Sequence, residues 1–129
     1  MAGKIIADTL EHSTAGSVTT DYVVNGSAKM WATVDQSSTH TIDDSFNLAS
    51  VTDNGTGRSE FSFSNSMNNA NYCATGMTRD GGGYNDDAGV HCDNGGAYST
   101  SAIEITAFFG GTPNDADGAL WALIHGDLA

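Results

Sequence analysis

Basic residues are scarce in this sequence, and that scarcity restricts the partners it can have. Its 129 residues include four Lys and Arg against sixteen Asp and Glu, which leaves a formal net charge of −12. Binding to nucleic acid and to anionic membranes both depend on clustered Lys and Arg, so we expect neither partner. The acidity favours solubility through self-repulsion, and it suits a protein that works in salty water such as seawater.

Long hydrophobic runs are also missing. The longest, residues 119–124 (ALWALI), is far shorter than the roughly 20 residues that span a bilayer. The first dozen residues have no apolar stretch long enough for the core of a signal peptide. We therefore expect synthesis in the cytosol of the producing cell and no membrane insertion.

Cysteine is nearly absent. Cys73 and Cys92 are the two cysteines of the chain, too few for a disulfide framework and without Cys or His neighbours at zinc spacing. Half-buried free thiols in strands are the favoured interpretation. An intrachain bridge, formed after release from a reducing cytosol, is the alternative.

Alternation of apolar and polar residues is the main positive signal. It is clearest over residues 28–35, 60–64 and 103–107, and each of these segments is typical of a strand with one buried face. We predict further strands at 46–51, 72–78, 88–92 and 119–126. The last carries large apolar groups at nearly consecutive positions, which indicates burial on both faces in a central strand or a subunit contact.

Turn clusters separate these strands. In residues 52–57, Asn54 and Gly55 can supply the positive φ of a hairpin turn, and a second cluster covers 80–87. About seven short strands spaced roughly 8 to 12 residues apart predict an all-β fold. The expected architecture is an antiparallel β-sandwich or jelly-roll-like knob over residues 27–129.

Residues 1–26 are different. They carry scattered aliphatic residues on a Ser, Thr and Gly background, with no clear helical stripe or strand partner. We expect an extended N-terminal arm that serves attachment or trimerisation. Because hydrophobic residues make up only 39% of the chain, one subunit should have a thin core that neighbouring copies complete.

Catalytic patterns are weak. There is no G-x-S-x-G elbow of a serine hydrolase, and the scattered histidines are expected to be exposed or at subunit contacts: His12, His40, His91 and His125. A glycosidase needs two carboxylates about 5 to 9.5 Å apart. Glu60 and Glu104 are candidates, but both fall on the polar side of an alternating strand, where a solvated carboxylate is expected. We predict no enzymatic activity, with a polysaccharide-cleaving enzyme as a competing hypothesis.

Acidic stretches raise the question of a metal site. Asp115 and Asp117 lack the third ligand and the terminal Glu of an EF-hand loop, and Asp and Asn serve turns equally well through side-chain to backbone hydrogen bonds. We expect no cofactor and no metal. Bound calcium remains an alternative.

Two polar, glycine-containing loops are the best candidates for recognition. They combine mobile backbone with an aromatic ring and directional hydrogen-bonding groups, a mixture suited to sugars or polar protein surfaces. The residues expected to face a receptor are Arg79, Tyr84, Asn85, Asp86, Asp87 and Tyr98. A carbohydrate-binding module that uses these loops, with or without calcium, is therefore the alternative function.

Three stretches resemble the small β-rich proteins and knob domains of bacteriophage tail fibres and related virion appendages. They are GSAKMW, DSFNLASVTDNGTG and FSNSMNNANYCATG, which begin at residues 26, 44 and 63. The motif residues are explained as fold residues that form turns, caps and core: Asp44, Phe46, Asn54, Gly55, Gly57 and Tyr72.

The resemblance implies a homotrimeric virion component made in the host cytoplasm. Its expected partners are identical copies, other phage capsid or tail proteins, and a glycan or protein on the host surface. Because the chain begins at its own Met and has a short arm, we expect a small separate tail fibre, knob or capsid decoration rather than a piece of a long fibre. A closed assembly would also cover strand edges.

Overall fold

Two antiparallel sheets form the body of the protein in the computed structural model, which describes residues 3, 5–79, 89–92, 96–109, 112–113 and 119–129. The elements, in chain order, are β1 Thr9–His12, β2 Gly16–Thr19, α1 Thr20–Gly26, β3 Met30–Asp35, β4 Thr41–Phe46, β5 Leu48–Asp53, β6 Arg58–Phe63, β7 Cys73–Arg79, β8 Gly89–Cys92, β9 Ala102–Phe109, β10 Thr112–Pro113 and β11 Ala119–His125.

The strands separate into two larger sheets and one hairpin. Sheet I has the order β4-β3-β11-β7, and sheet II has the order β10-β9-β6-β5 with β8 also paired to β9. β1 and β2 form a hairpin of their own. The prediction of an all-β antiparallel sandwich is confirmed, and β11 is a central strand of sheet I, as its apolar sequence indicated.

The core lies between sheets I and II. Alternate residues of β3 and β11 meet those of β6 and β9, and Met67 and Tyr72 close one end. The fully buried members of this core are Met30, Val34, Phe61, Ile103, Leu120 and Ile124, each with an exposed fraction of 0%. The period-two alternation therefore identified the core-facing side of these strands correctly.

Asn47 is the corner at which the chain passes from sheet I to sheet II. Its φ of 57° is in the left-handed region, where Asn is tolerated better than most residues. Its amide Nδ2 donates to the carbonyl oxygens of Lys29 at 2.9 Å and Asn65 at 3.1 Å, and its Oδ1 accepts from the backbone N–H of Asn65 at 2.7 Å. The single strand predicted at 46–51 is therefore wrong, because this corner divides it between β4 and β5.

The β5–β6 turn agrees with its predicted chemistry. Gly55 and Gly57 have φ of 111° and 71°, values that suit glycine because it has no Cβ. Asp53 Oδ1 accepts from the N–H of Gly55 at 2.9 Å, and the N–H of Asn54 donates to the carbonyl of Arg58 at 3.0 Å.

Two packing predictions are wrong. Phe46 was assigned to the core, but it is 51% exposed, because its partner in the β3–β4 register is Trp31 on the outside of sheet I. Asp44 lies on the same outer side, where its Oδ1 accepts from the N–H of Ser45 at 2.8 Å. Cys73 and Cys92 carry free thiols and lie in β7 and β8, as the favoured interpretation predicted, but both are exposed rather than half-buried.

The first 26 residues are not extended throughout. Thr9–His12 and Gly16–Thr19 pair as a hairpin, and Thr20–Gly26 forms a helix directly after it. The N–H of Thr20 donates to the carbonyl of Asp8 at 3.0 Å, which joins the helix start to the hairpin. The prediction missed this local structure because the pairing strands are only four residues long and show little alternation.

Candidate functional site: an uncovered apolar sheet face

The outside of sheet I carries large apolar side chains in adjoining rows. In one row, Phe46 is paired with Trp31 and Trp31 with Leu123; in the next, Trp121 is paired with Met77. Residues directly opposite on antiparallel strands present their side chains on the same face, about 5 Å apart. We call this set the outer apolar face: Trp31, Phe46, Met77, Trp121 and Leu123.

These side chains are uncovered. Met77 is 69% exposed, Phe46 51%, Trp121 41% and Trp31 38%. A groove of about 350 Å³ runs between the rings of Trp31 and Trp121 and the Met77 side chain, with Thr33 and Thr75 as its polar lining residues. Large contiguous apolar patches are uncommon on the surface of monomers, and they mark interaction sites.

Two carboxylates lie on the same side of sheet I as this face. Asp44 is opposite Thr33 at the β4 edge, and Asp35 lies in the next row of β3. Asp43 stands beside Asp44 in β4, where the pairing with β3 is interrupted between Thr33 and Val34. Inserted residues and charges at an edge strand discourage pairing with another strand. The face of sheet I is therefore better suited to contact than its β4 edge.

A second uncovered apolar surface lies in residues 5–26, which we call the N-terminal segment. None of its residues is buried. Its large apolar side chains are 38% to 90% exposed: Ile5, Ile6, Leu10, Val18, Tyr22, Val23 and Val24.

Lys29 joins the N-terminal segment to the sandwich. Its ammonium group donates to the carbonyl of Val24 and to Ser27 Oγ, and its backbone N–H donates to the carbonyl of Ile124 at 2.8 Å. Lys29 is only 6% exposed, although the alternation had put it on the polar side of β3. The helix end is therefore fixed at the start of β3, one residue before sheet I begins.

The residues predicted to face a receptor are not brought together in one site within the described part of the chain. Tyr84, Asn85, Asp86 and Asp87 lie outside the described residues. Arg79 is the last residue of β7, where its backbone pairs with Ala119, whereas Tyr98 packs at the other end of that strand. Seven strand residues span about 20 Å, so Arg79 and Tyr98 belong to opposite ends of the sandwich.

Tyr98 is half-exposed and already engaged. Its ring stacks on Tyr72 with centroids 4.9 Å apart, and its hydroxyl donates to the carbonyl of Tyr72 at 3.0 Å. The Tyr72 hydroxyl donates to the carbonyl of Ser99 at 3.0 Å. Burial raises the pKa of Tyr72 to about 12, and burial also raises the pKa of Tyr98. The Tyr72–Tyr98 pair stabilises the fold. A ligand could contact only the part of the Tyr98 ring that is not stacked on Tyr72.

A Ser-His-Asp arrangement occurs at the β5–β6 hairpin. Ser59 Oγ is 2.9 Å from His40 Nδ1, and His40 Nε2 is 3.8 Å from the Asp53 carboxylate. Ser59 is fully buried, and Gln36 Nε2 donates to its oxygen at 2.7 Å. The hydroxyl cannot reach a substrate in solvent, so the network is structural. His40 is 5% exposed, and its predicted exposure is wrong because this polar network takes its ring inside.

The two glutamates considered as a glycosidase pair are close together. Asn54 Nδ2 donates to Glu104 Oε2 at 2.6 Å and lies 3.4 Å from Glu60 Oε2, so these oxygens are at most about 6 Å apart. Glu104, however, is 1% exposed, so its predicted solvation is wrong. The strand alternates as expected, but residues 96–97 cover this side of β9: a Cβ at Gly96 would lie 2.5 Å from Glu104 Oε1. Both oxygens of Glu104 are therefore covered, and they accept hydrogen bonds from Asn54 and Arg58.

Within the described residues, no group of three or more His, Cys, Asp or Glu side chains could hold a metal ion. Across the same ranges of the chain, no helix has the length and hydropathy of a membrane-spanning segment.

Two tryptophans in the sequence are a signal for the outer apolar face. Trp31 falls on the polar side of the β3 alternation, between Lys29 and Thr33, and Trp121 interrupts the same phase of β11. A Trp at the position where alternation demands a polar residue indicates a face that another surface covers. Comparison of the chain with protein-family models, curated proteins and solved structures gives no match.

Proposed function

We propose that the protein is a non-enzymatic structural component of a phage virion appendage, and that it assembles as a homotrimer through its uncovered apolar surfaces. The observation that carries this proposal is the outer apolar face, four of whose side chains are more than one-third exposed. The two arrangements that resemble catalytic groups, around Ser59 and Glu104, are buried, which supports a role without catalysis.

The total surface supports association. The chain exposes 7802 Å², whereas a compact monomer of its 13.3 kDa mass would expose roughly 6,500 Å². The excess is larger than the roughly 800 Å² that each partner buries in an interface of standard size. A contact of standard size between copies would therefore bring the exposed area per chain closer to that of a compact monomer.

Self-association fits the charge of the chain. With a net charge of −12, two copies repel each other wherever their acidic surfaces meet. The outer apolar face itself consists of uncharged side chains, with Asp44 and Asp35 as neighbouring carboxylates on the same side of sheet I, so copies can meet there with less repulsion than at a strongly acidic surface. Burial of Trp, Phe and Met side chains then supplies the attraction.

The virion assignment is supported by the resemblance of residues 26–76 to phage appendage proteins, together with this architecture. Host contact is part of the same proposal, through loops at the ends of the sandwich. Antibodies against the protein should label appendages on purified particles of the phage that encodes it. Particles that lack the protein altogether would contradict the virion assignment.

Light scattering coupled to size-exclusion chromatography tests the assembly. The wild-type protein should elute with a mass of about 40 kDa, three times that of one chain. Trp121→Glu, which places a charge in the face, should shift the mass to that of a monomer without loss of the β-sheet circular dichroism spectrum. Ser50→Glu adds the same charge at an exposed position of sheet II and should leave the assembly intact.

Carbohydrate binding is a second candidate because the exposed rings of Trp31 and Trp121 share one sheet face, and aromatic faces stack on sugars. A glycan array should then show binding that Trp31→Ala abolishes. The apolar lining of the groove favours the protein contact, since Thr33 and Thr75 are its polar residues. Binding that requires added calcium, or that Tyr98→Ala alone removes, would return the glycan site to the loops.

A further inference from the structure

We infer that the outer apolar face is covered by the N-terminal segment of a second copy, so that each subunit gives its segment to a neighbour and receives one from another. This inference rests on the proposed self-association and specifies its geometry. It makes the contact heterologous, with two different surfaces in each interface. Such a contact closes into a ring when the rotation between subunits permits, as in a trimer.

The two surfaces are complementary in kind. Seven large apolar side chains of the N-terminal segment are exposed, and four of the outer apolar face are exposed. Together they make up most of the large exposed hydrophobic residues of the described chain. Each chain thus carries two solvent-exposed apolar surfaces. A contact between these surfaces on two copies would remove both from water.

Shape favours the segment over a second face. The outer apolar face contains a groove of about 350 Å³. Two grooves brought face to face would enclose unfilled volume, and the atoms that line a void lose their dispersion contacts. The exposed aliphatic side chains of the N-terminal segment can fill such a groove instead.

The segment is built to dock through side chains. Its two strands pair with each other in the Leu10–Val18 register, and the proposed contact uses the exposed apolar side chains of the segment rather than a strand edge. Leu10 and Val18 are directly opposite each other and therefore share one face of the hairpin. The Lys29 contacts hold the base of the segment at the start of β3, beside sheet I.

A mixing experiment with two full-length variants tests the inference. The segment variant is Ile6→Asp with Tyr22→Asp, at positions 81% and 74% exposed, and the face variant is Trp121→Glu. Each should be a monomer alone, because each lacks one half of every interface. Mixed, they should form a 1:1 complex, since the intact segment of the face variant can dock on the intact face of the segment variant.

Native mass spectrometry distinguishes the possible results, and circular dichroism of each variant checks that it is folded. If the two monomeric variants do not associate on mixing, the exchange of segments is wrong. It is also wrong if the segment variant assembles like the wild type. Neither result contradicts self-association itself. A wild-type protein that is already monomeric would overturn the exchange and the proposed assembly together. The control is a mixture of Ser50→Glu with the face variant. Ser50→Glu retains both surfaces and can bind further copies, so its complexes should not stop at one copy of each variant.

Discussion

Glu104 is buried in β9, and its Oε1 accepts hydrogen bonds from Nε and Nη2 of Arg58 at 3.0 and 2.7 Å. Its Oε2 accepts from Asn54 at 2.6 Å. This group joins the β5–β6 turn to β9 under the cover of residues 96–97.

Removal of the Glu104 carboxylate should destabilise the protein strongly. Glu104→Ala leaves the Asn54 amide and part of the Arg58 guanidinium without this acceptor, and we expect a loss of about 2 to 3 kcal/mol in the free energy of unfolding. The loss stays below that of a fully buried pair because the Arg58 side chain is 36% exposed. Urea unfolding measures it. Glu60→Ala, at the paired position on β6, is the control and should change the free energy by about 0.5 kcal/mol at most; equal losses in both variants would contradict the account.

Asn47 should tolerate neither loss of its amide nor a residue that resists positive φ. Asn47→Ala removes the hydrogen bonds to Lys29 and Asn65 and strains the backbone, with an expected loss of about 2 to 4 kcal/mol. Asn47→Gly removes the same bonds but adopts the φ of 57° freely, and it should be less destabilised by about 1 kcal/mol. Thermal unfolding of the two variants gives this difference directly. An alanine variant as stable as the glycine variant would show that the backbone conformation is not the constraint.

Stability should fall in strong alkali through Tyr72. Its pKa in the folded protein is about 12, whereas an unfolded tyrosine ionises near pH 10. The folded state therefore holds more protons than the unfolded state between these values, and the free energy of unfolding should fall as the pH rises from about 10 to 12. Urea midpoints at several pH values should show a smaller fall in Tyr72→Phe. Tyr22→Phe, at a side chain 74% exposed, should retain the wild-type slope, and identical slopes in all three proteins would refute this role.

Gly76 should not accept a side chain. A Cβ at this position would lie 2.5 Å from the carbonyl oxygen of Trp121 and 3.0 Å from Cγ2 of Val90, so β7 would have to move away from β11 or β8. We expect Gly76→Ala to lose about 1 to 3 kcal/mol. Gly26→Ala, where a Cβ would meet nothing within 4 Å, is the matched control. Differential scanning calorimetry compares them, and unchanged melting in Gly76→Ala would show that the strands are not packed this closely.

The sequence revealed more of the body of the fold than of its surfaces. Alternation in β3, β6 and β9 located Met30, Phe61 and Ile103 in the core, because a period of two residues follows directly from strand geometry. The corner at Asn47 was missed because its cause is a set of hydrogen bonds to Lys29 and Asn65, which are distant in sequence.

The burial of polar residues could also not be predicted from local sequence patterns. Glu104 alternates correctly, but residues 96–97 cover the outer side of its strand, and His40 is drawn inside by Ser59. For the candidate site, a subunit contact at β11 was anticipated from its apolar sequence, whereas Trp31 and Phe46 were not assigned to the same face. The order of the strands in sheet I places them on one face. That order depends on pairing between segments distant in sequence, so no single segment predicts it.

The central claim is that copies of this protein cover each other's apolar surfaces. Sedimentation velocity of the wild-type protein over a dilution series in the micromolar range tests it most directly. We predict one species of about 40 kDa, three times the 13.3 kDa of a chain, that persists on dilution. A single species of 13.3 kDa throughout the series, folded and cooperative in melting, would contradict the account.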